Sequence, residues 1–170
     1  MIGEVYNGSD RTVDVAPIAI NFFDANGGLV DTTTGLVWLN YIAAGEKSCF
    51  IAVLQQPANW SYYEFEPPRA SVTNAYLPAL TVFNDSGTVT GASSYKIIGQ
   101  VRNDDSMRVN SVKVVGTLYN DSNVPLGCWI GYVGSSDLEP GQVSSFNISY
   151  SGRSWSDIQV YHLQPDGYPQ

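Results

Sequence analysis

The sequence predicts an all-β protein of two tandem antiparallel β-sandwiches, the first lacking its N-terminal strand. Three observations carry this. Apolar residues alternate with period two in many short runs. Turn signals recur about every ten residues, a spacing typical of sandwiches. The chain also repeats itself at a spacing of 96 residues, from Ile2 to Ile98. In that register Gly3 meets Gly99, Val5 meets Val101, Asn7 meets Asn103, Val13 meets Val109, Phe22 meets Leu118 and Phe50 meets Phe146. A slip of one residue then pairs Trp60-Ser61 with Trp155-Ser156.

Composition narrows the functional classes. The 170 residues are 44% hydrophobic, enough for a core, and only 14% charged, with a formal net charge of −8. So few basic residues argue against nucleic acid and anionic membrane surfaces as partners. No apolar run reaches the ~20 residues of a membrane span. Met1 is followed by a polar, acidic strand, not by the basic stretch and apolar core of a signal peptide.

The elements follow in order. "IGEVYN" (Ile2–Asn7) and "IIGQVRN" (Ile97–Asn103) read as the same strand twice, with the glycine suited to close backbone approach and the asparagine to a turn. Ile18, Ile20 and Phe22 point to one strand face, as do Val114 and Leu118. "DANGG" (Asp24–Gly28) is a hairpin turn whose Asn-Gly favours type I′ geometry. "AAGEKSCF" (Ala43–Phe50) and "EPGQVSSF" (Glu139–Phe146) are matching turn-then-strand units, and Pro140-Gly141 suits a type II turn. Pro67-Pro68 ends the first unit. The expected domains are 1–68 and 79–170, with a linker over 69–78. No segment shows a sustained helical period, so helices should be short or absent.

In their order, "GEVYN", then "INFFD" (Ile20–Asp24) or "GTLYN" (Gly116–Asn120), then "GEKSCF" or "GQVSSF", resemble the FxLYD domain family. The leading Phe is replaced by Ile20 or Gly116, and the final Asp by Asn120 in the second copy. The resemblance covers most of both units. It implies immunoglobulin-like β-sandwiches in extracellular or envelope-attached prokaryotic proteins. It carries over no catalytic residue and no cofactor.

The second copy has a preamble, "ALTVFNDSGTVTGASSYK" (Ala79–Lys96), which reads as a strand followed by a loop. The first copy has no counterpart. One expectation is that the chain is a piece of a longer protein, or that a signal peptide and first strand were removed. The other is a functional gap: Ile2, Glu4, Val5 and Tyr6 form a strand-accepting edge, filled by donor-strand complementation. Head-to-tail filling then builds filaments, with "YHLQPDGYPQ" (Tyr161–Gln170) as donor, a poor strand beyond Leu163 because of its prolines.

No enzyme is expected. His162 is the single histidine, and no nucleophile elbow, zinc spacing or phosphate-binding glycine loop occurs. Glu64 and Glu66 share one strand face and read as solvated. Asp24–Asp31 and Asn120–Asn123 read as hairpin turns, not calcium loops. Cys49 aligns with Ser145 and Cys128 with Thr32, so no repeated bridge within a domain exists and two free thiols are expected. Asn7, Asn59, Asn84, Asn120 and Asn147 open Asn-x-Ser sequons and are candidate glycosylation sites. Trp60 and Tyr62 share a strand face and are a candidate aromatic contact surface for protein or glycan, with core and interdomain packing the favoured use. The expected function is a non-enzymatic extracellular or cell-surface spacer, adhesion or protein-binding module, without cofactor or metal. The alternative is a filament subunit assembled by strand exchange with a second copy.

Overall fold

A computed structural model describes residues 1–54, 57–135, 137–152 and 155–170, and among these it contains thirteen strands and no helix. The chain divides into two compact units, Met1–Ala75 and Tyr76–Gln170. The first holds β1 (Ile2–Tyr6), β2 (Val13–Val15), β3 (Ile18–Phe23), β4 (Leu29–Val37), β5 (Lys47–Ile51), β6 (Tyr62–Phe65) and β7 (Ala70–Val72). The second holds β8 (Leu80–Gly91), β9 (Ser94–Asn103), β10 (Val109–Tyr119), β11 (Pro125–Tyr132), β12 (Val143–Ser151) and β13 (Val160–Pro169). All pairings are antiparallel: β1-β5-β4-β3-β6 and β2-β7 in the first unit, β12-β9-β8 and β11-β10-β13 in the second.

The sequence repeat reappears as repeated pairing. The bridge Val13↔Ile42 recurs as Val109↔Leu138, and Val37↔Phe50 recurs as Val133↔Phe146, each 96 residues on. In the second unit β10 and β13 run continuously. In the first, the same path is cut into β2 and β3 by Pro17, and into β6 and β7 by Pro67-Pro68. Proline lacks the N–H a ladder needs. Where Pro17 stands, the second unit has Lys113 and only a bulge, with Ser111 at φ 52°. Each unit has its own core. In the first, Ile18, Ile20 and Phe22 alternate inward with Val5, Ile42 and Phe50; in the second, Val101, Val114, Leu118, Leu138, Phe146 and Ile148 are buried.

One side chain organises each unit. Asn7 Nδ2 donates to the carbonyls of Arg11, Ile42 and Ala43 at 2.7, 2.9 and 3.0 Å. Its Oδ1 accepts from the Ser9 N–H at 3.1 Å. Asn103 repeats this with Met107 and Leu138 carbonyls at 2.8 and 2.9 Å and the Asp105 N–H at 2.9 Å. These asparagines do more than close a turn: they tie the end of one strand to a loop 35 residues away.

Several expectations change. The preamble Ala79–Lys96 is not a strand followed by a loop. It is β8 over twelve residues, running through bulges at Phe83/Ser86 and Val89/Gly91 into a short hairpin turn. Bulges, with Asn84 at φ 51°, absorb what a straight alternation could not. The tail Tyr161–Gln170 is not a free donor: β13 pairs with β10 from Val160 to Pro169, and as an edge strand it tolerates Pro165 and Pro169. Within the segment read as linker, β7 pairs with β2. The turn at Asp24–Gly28 has positive φ only at Gly27, not at both residues of the Asn26-Gly27 pair as a type I′ turn requires. Asp24 Oδ1 accepts the N–H groups of Asn26 and Gly28, both at 2.8 Å, and Asn120 Oδ1 does the same for Ser122 and Val124. A side chain that mimics a backbone turn sets this geometry. By β6 the repeat spacing is 98, not the 95 of the Trp-Ser match, because Ser61 N–H bonds Phe23 O while Gln159 N–H bonds Tyr119 O.

The cysteines are also corrected. Neither is free: Cys49 on β5 and Cys128 on β11 form a disulfide that links the two units covalently. Each unit holds a single cysteine, so a bridge within either unit is excluded.

Two outcomes are expected. Asn103→Ala leaves two carbonyls and one N–H without their partner, and lowers unfolding free energy by about 2–3 kcal/mol in urea denaturation. Non-reducing peptide mapping recovers a Cys49–Cys128 cross-linked peptide, and reduction of this long loop destabilises the folded chain by about 2–4 kcal/mol.

Candidate functional site: the open edge of β1

The two units differ most at one place. In the second, β9 lies between β12 and β8. In the first, the equivalent β1 pairs, among the described residues, with β5 alone and ends its sheet. Antiparallel ladders alternate, so the direction of each peptide group of β1 follows from one bonded pair. Met1 and Ala52 exchange both hydrogen bonds, at 2.8 and 2.9 Å, and Asn7 N–H reaches Glu46 O at 2.9 Å. Odd-numbered residues therefore face β5. The N–H and C=O groups of Ile2, Glu4 and Tyr6 face the open side. Of the four predicted edge residues, Val5 differs: its backbone turns to β5 and its side chain enters the core.

A groove of about 440 Å³ runs along this edge. Its floor includes Ile18 and Phe50, and its far wall is formed by Tyr63 and Phe65 of β6 with Pro68. A second cavity of about 390 Å³ shares Val5 and Tyr6 with it and continues past Asn7 and Ser9 toward Val13 of β2 and Val72 of β7. The floor is kept low by glycine. A Cβ on Gly3 would lie 2.6 Å from the Phe50 ring, and one on Gly35 would meet the same ring at 2.6 Å. Gly99 and Phe146 repeat this contact at 2.7 Å. The glycines thus serve the close approach of a ring.

The second unit shows what covers the equivalent surface. Leu80 and Val82 of β8 pack against its core, and Tyr161 and Leu163 of β13 are partly buried there. The Tyr161 hydroxyl donates to Asp85 Oδ2 of β8 at 2.7 Å. Burial first, and Asp85 second, push the Tyr161 phenol up to about 12. Pairing with Leu118 makes Tyr161 the counterpart of Tyr63, which pairs with Phe22. Tyr63 and Phe65 are 43% and 47% exposed, and Tyr6 is 66% exposed. All four residues of β6 are exposed, unusual for a strand of three aromatics.

β8 is also fastened at its start. Asp105 Oδ2 accepts the Ala79 N–H at 3.1 Å, and the Asp104 N–H bonds Ala79 O at 2.8 Å. The Ala79 N–H foremost, then the Tyr76 hydroxyl and the Met107 and Ser106 N–H groups, hold the Asp105 carboxyl below its ordinary value, against a smaller opposing effect of burial. The first unit has Ser9 at this position.

The other predicted residues are dispersed. Trp60 and Tyr62 do not form one surface: Trp60 packs edge-on against Phe22 at 5.5 Å, while Tyr62 stacks on Phe23 at 5.1 Å. Trp60 precedes the strand, outside its alternation, and lies with Tyr63 against Phe22. The sequon at Asn7 is unavailable to a glycan in the folded chain, since Asn7 is 6% exposed and both Nδ2 hydrogens are engaged by three surrounding carbonyls. Asn59, Asn84 and Asn147 are exposed, and Asn120 is half-buried in its turn. His162 is exposed on β13. Sequence reasoning missed Tyr63 and Phe65, because the repeat spacing changes from 96 to 98 before β6 and conceals their counterparts.

No protein-family model, no curated protein and no solved structure matches this chain.

Two tests follow from this geometry. Gly3→Ala drives a methyl into the Phe50 ring and destabilises the first unit by about 1–3 kcal/mol, read by calorimetry. Asp105 contributes stability that is full above pH 3.8 and is lost as pH falls through its lower folded-state value. Melting curves between pH 6 and pH 2 therefore show an acid-side loss that is smaller in Asp105→Asn.

Proposed function

We propose that this protein is a non-enzymatic extracellular or cell-surface module of two tandem immunoglobulin-like β-sandwiches of the FxLYD type, and that it binds another polypeptide by accepting its strand along β1. The observation that carries this is the contrast between β9, paired on both sides, and β1, paired on one beside an apolar groove. An edge that exposes N–H and C=O groups next to apolar wells is suited to β-augmentation: the main chain supplies affinity and alternate side chains supply specificity. The repeated pairings 96 residues apart support two copies of one sandwich fold. The disulfide is compatible with an oxidising compartment. The low count of basic residues supports a protein partner over nucleic acid.

A filament subunit is the second reading, favoured by the same groove. Its donor is not the C-terminal tail, which is engaged as β13.

Hydrogen exchange tests the reading. The Glu4 and Tyr6 amides exchange at least about a hundredfold faster than those of Gln100 and Arg102, and members of a random library of extended ten-residue peptides slow them. Glu4→Pro removes one outward N–H without touching the β5 ladder, and abolishes that slowing while the fold is retained. If no peptide in the library slows exchange at Glu4 and Tyr6, the strand-accepting function is wrong.

A further inference from the structure

We infer that the Cys49–Cys128 disulfide acts as a clasp. It holds the chain together as one covalent molecule after a protease has cut the connection between the two units, so that the chain is divided only when cleavage is joined by reduction. The inference does not depend on what β1 accepts. It stands on two independent observations, a connection built to be cut and a bridge that spans it.

Between β7 and β8 the chain runs from Thr73 to Ala79 outside any strand, and the boundary between the units, Ala75 to Tyr76, falls within it. The connection is held at its ends. Thr73 N–H donates to Thr12 O at 3.0 Å, and Ala79 N–H donates to Asp105 Oδ2 at 3.1 Å. Among the described residues no backbone–backbone hydrogen bond reaches the stretch from Asn74 to Pro78. A protease draws its substrate into an extended cleft, so an exposed connection without a ladder is cut before a paired strand. Side-chain chemistry selects the bond. Tyr76 is 55% exposed and suits an enzyme that cuts after aromatic residues; one hydrogen bond, from its hydroxyl to Asp105, must be released. The next bond, Leu77–Pro78, is poor because proline supplies no N–H. Arg69 is exposed too, but its carbonyl accepts the Ala16 N–H at 2.9 Å at the head of β7, so an enzyme that cuts after basic residues meets a ladder.

Cys49 precedes the connection and Cys128 follows it, so every bond from Thr73 to Ala79 lies inside the loop that the bridge closes. Both cysteines are buried, which keeps a thiol reductant from the sulfurs while the units are folded. A cut at Tyr76–Leu77 also passes between the ladders. It leaves β1 to β7 on one fragment and β8 to β13 on the other, and among the described residues every strand pairing joins members of one set. Each unit therefore keeps its strands and its own core. Hydrolysis consumes one water: the Tyr76 carbonyl carbon gains a hydroxyl and the Leu77 nitrogen leaves as an amine. Reduction returns two electrons and two protons to the sulfurs from a dithiol, which closes to its own disulfide. Neither step alone divides the chain.

The test is brief digestion of the intact oxidised protein with chymotrypsin, which cuts after aromatic residues. The expected product runs as one band at full size in denaturing gels without reductant, with a mass increase of one water. With dithiothreitol the same sample gives two fragments, Met1–Tyr76 and Leu77–Gln170. The nicked, oxidised protein keeps the melting transitions of the uncut chain. Tyr76→Thr slows the first cut at least about tenfold without changing the melt. Three outcomes overturn the inference. The fragments separate without reductant, so no clasp exists. The first cut falls inside a strand and Tyr76→Thr leaves its rate unchanged, so the connection is not the cleavage site. Or the nicked, oxidised protein loses a melting transition, so the units do not survive the cut.

Discussion

Each half of this protein depends on one buried asparagine. A β-strand that ends inside a fold leaves carbonyls that no ladder meets, and buried carbonyls without partners are costly. Asn7 and Asn103 meet that requirement with a single amide. Each holds carbonyls from two separate loops while its oxygen fixes the next turn. The strand leading into each asparagine, β1 or β9, is thereby set in register against β5 or β12. The Gly3–Phe50 and Gly99–Phe146 contacts fix the depth of that pairing from the other end.

With β1 held this firmly, its open edge is a defined surface, not a frayed end. Natural sheets usually blunt such edges with charge, proline or a covering element. Here Glu4 is paired with Lys47 at 3.0 Å, and the groove beside it is lined by aromatic and aliphatic groups. The second half shows the covered state of the same architecture, with β8 anchored by Asp105 and Tyr161. The first half has no equivalent of this anchor, since Ser9 stands in place of Asp105. Two differences in one direction separate the halves at this one edge, while the asparagine, the glycine–phenyl contact and the bridges are shared.

Much of this was legible in the sequence. The 96-residue repeat, the strand character of Ile2–Tyr6 and the gap before it follow from spacing and alternation, because identical side-chain demands recur wherever one face is buried. The alternation of Ile18, Ile20 and Phe22 appears directly as burial in β3. The exposed wall of Tyr63 and Phe65 was not legible. A loop of different length shifts the spacing there, and an aromatic-rich strand reads as core unless its cover is known to be missing. The disulfide was concealed for a related reason: each unit holds only one cysteine, and a repeat argument compares units without bringing them together.

The sequence alone determined the all-β character, the two-unit organisation and the residues flanking the gap, since these depend on local period and on text repeated along the chain. Only the tertiary structure decided which backbone groups of β1 face outward, that the C-terminal tail is already paired, and that the gap is a groove with an aromatic wall. Those depend on strand order and register, which bring together residues some sixty positions apart, from Ile2 to Phe65. No local pattern encodes which of two alternating faces a distant strand will cover.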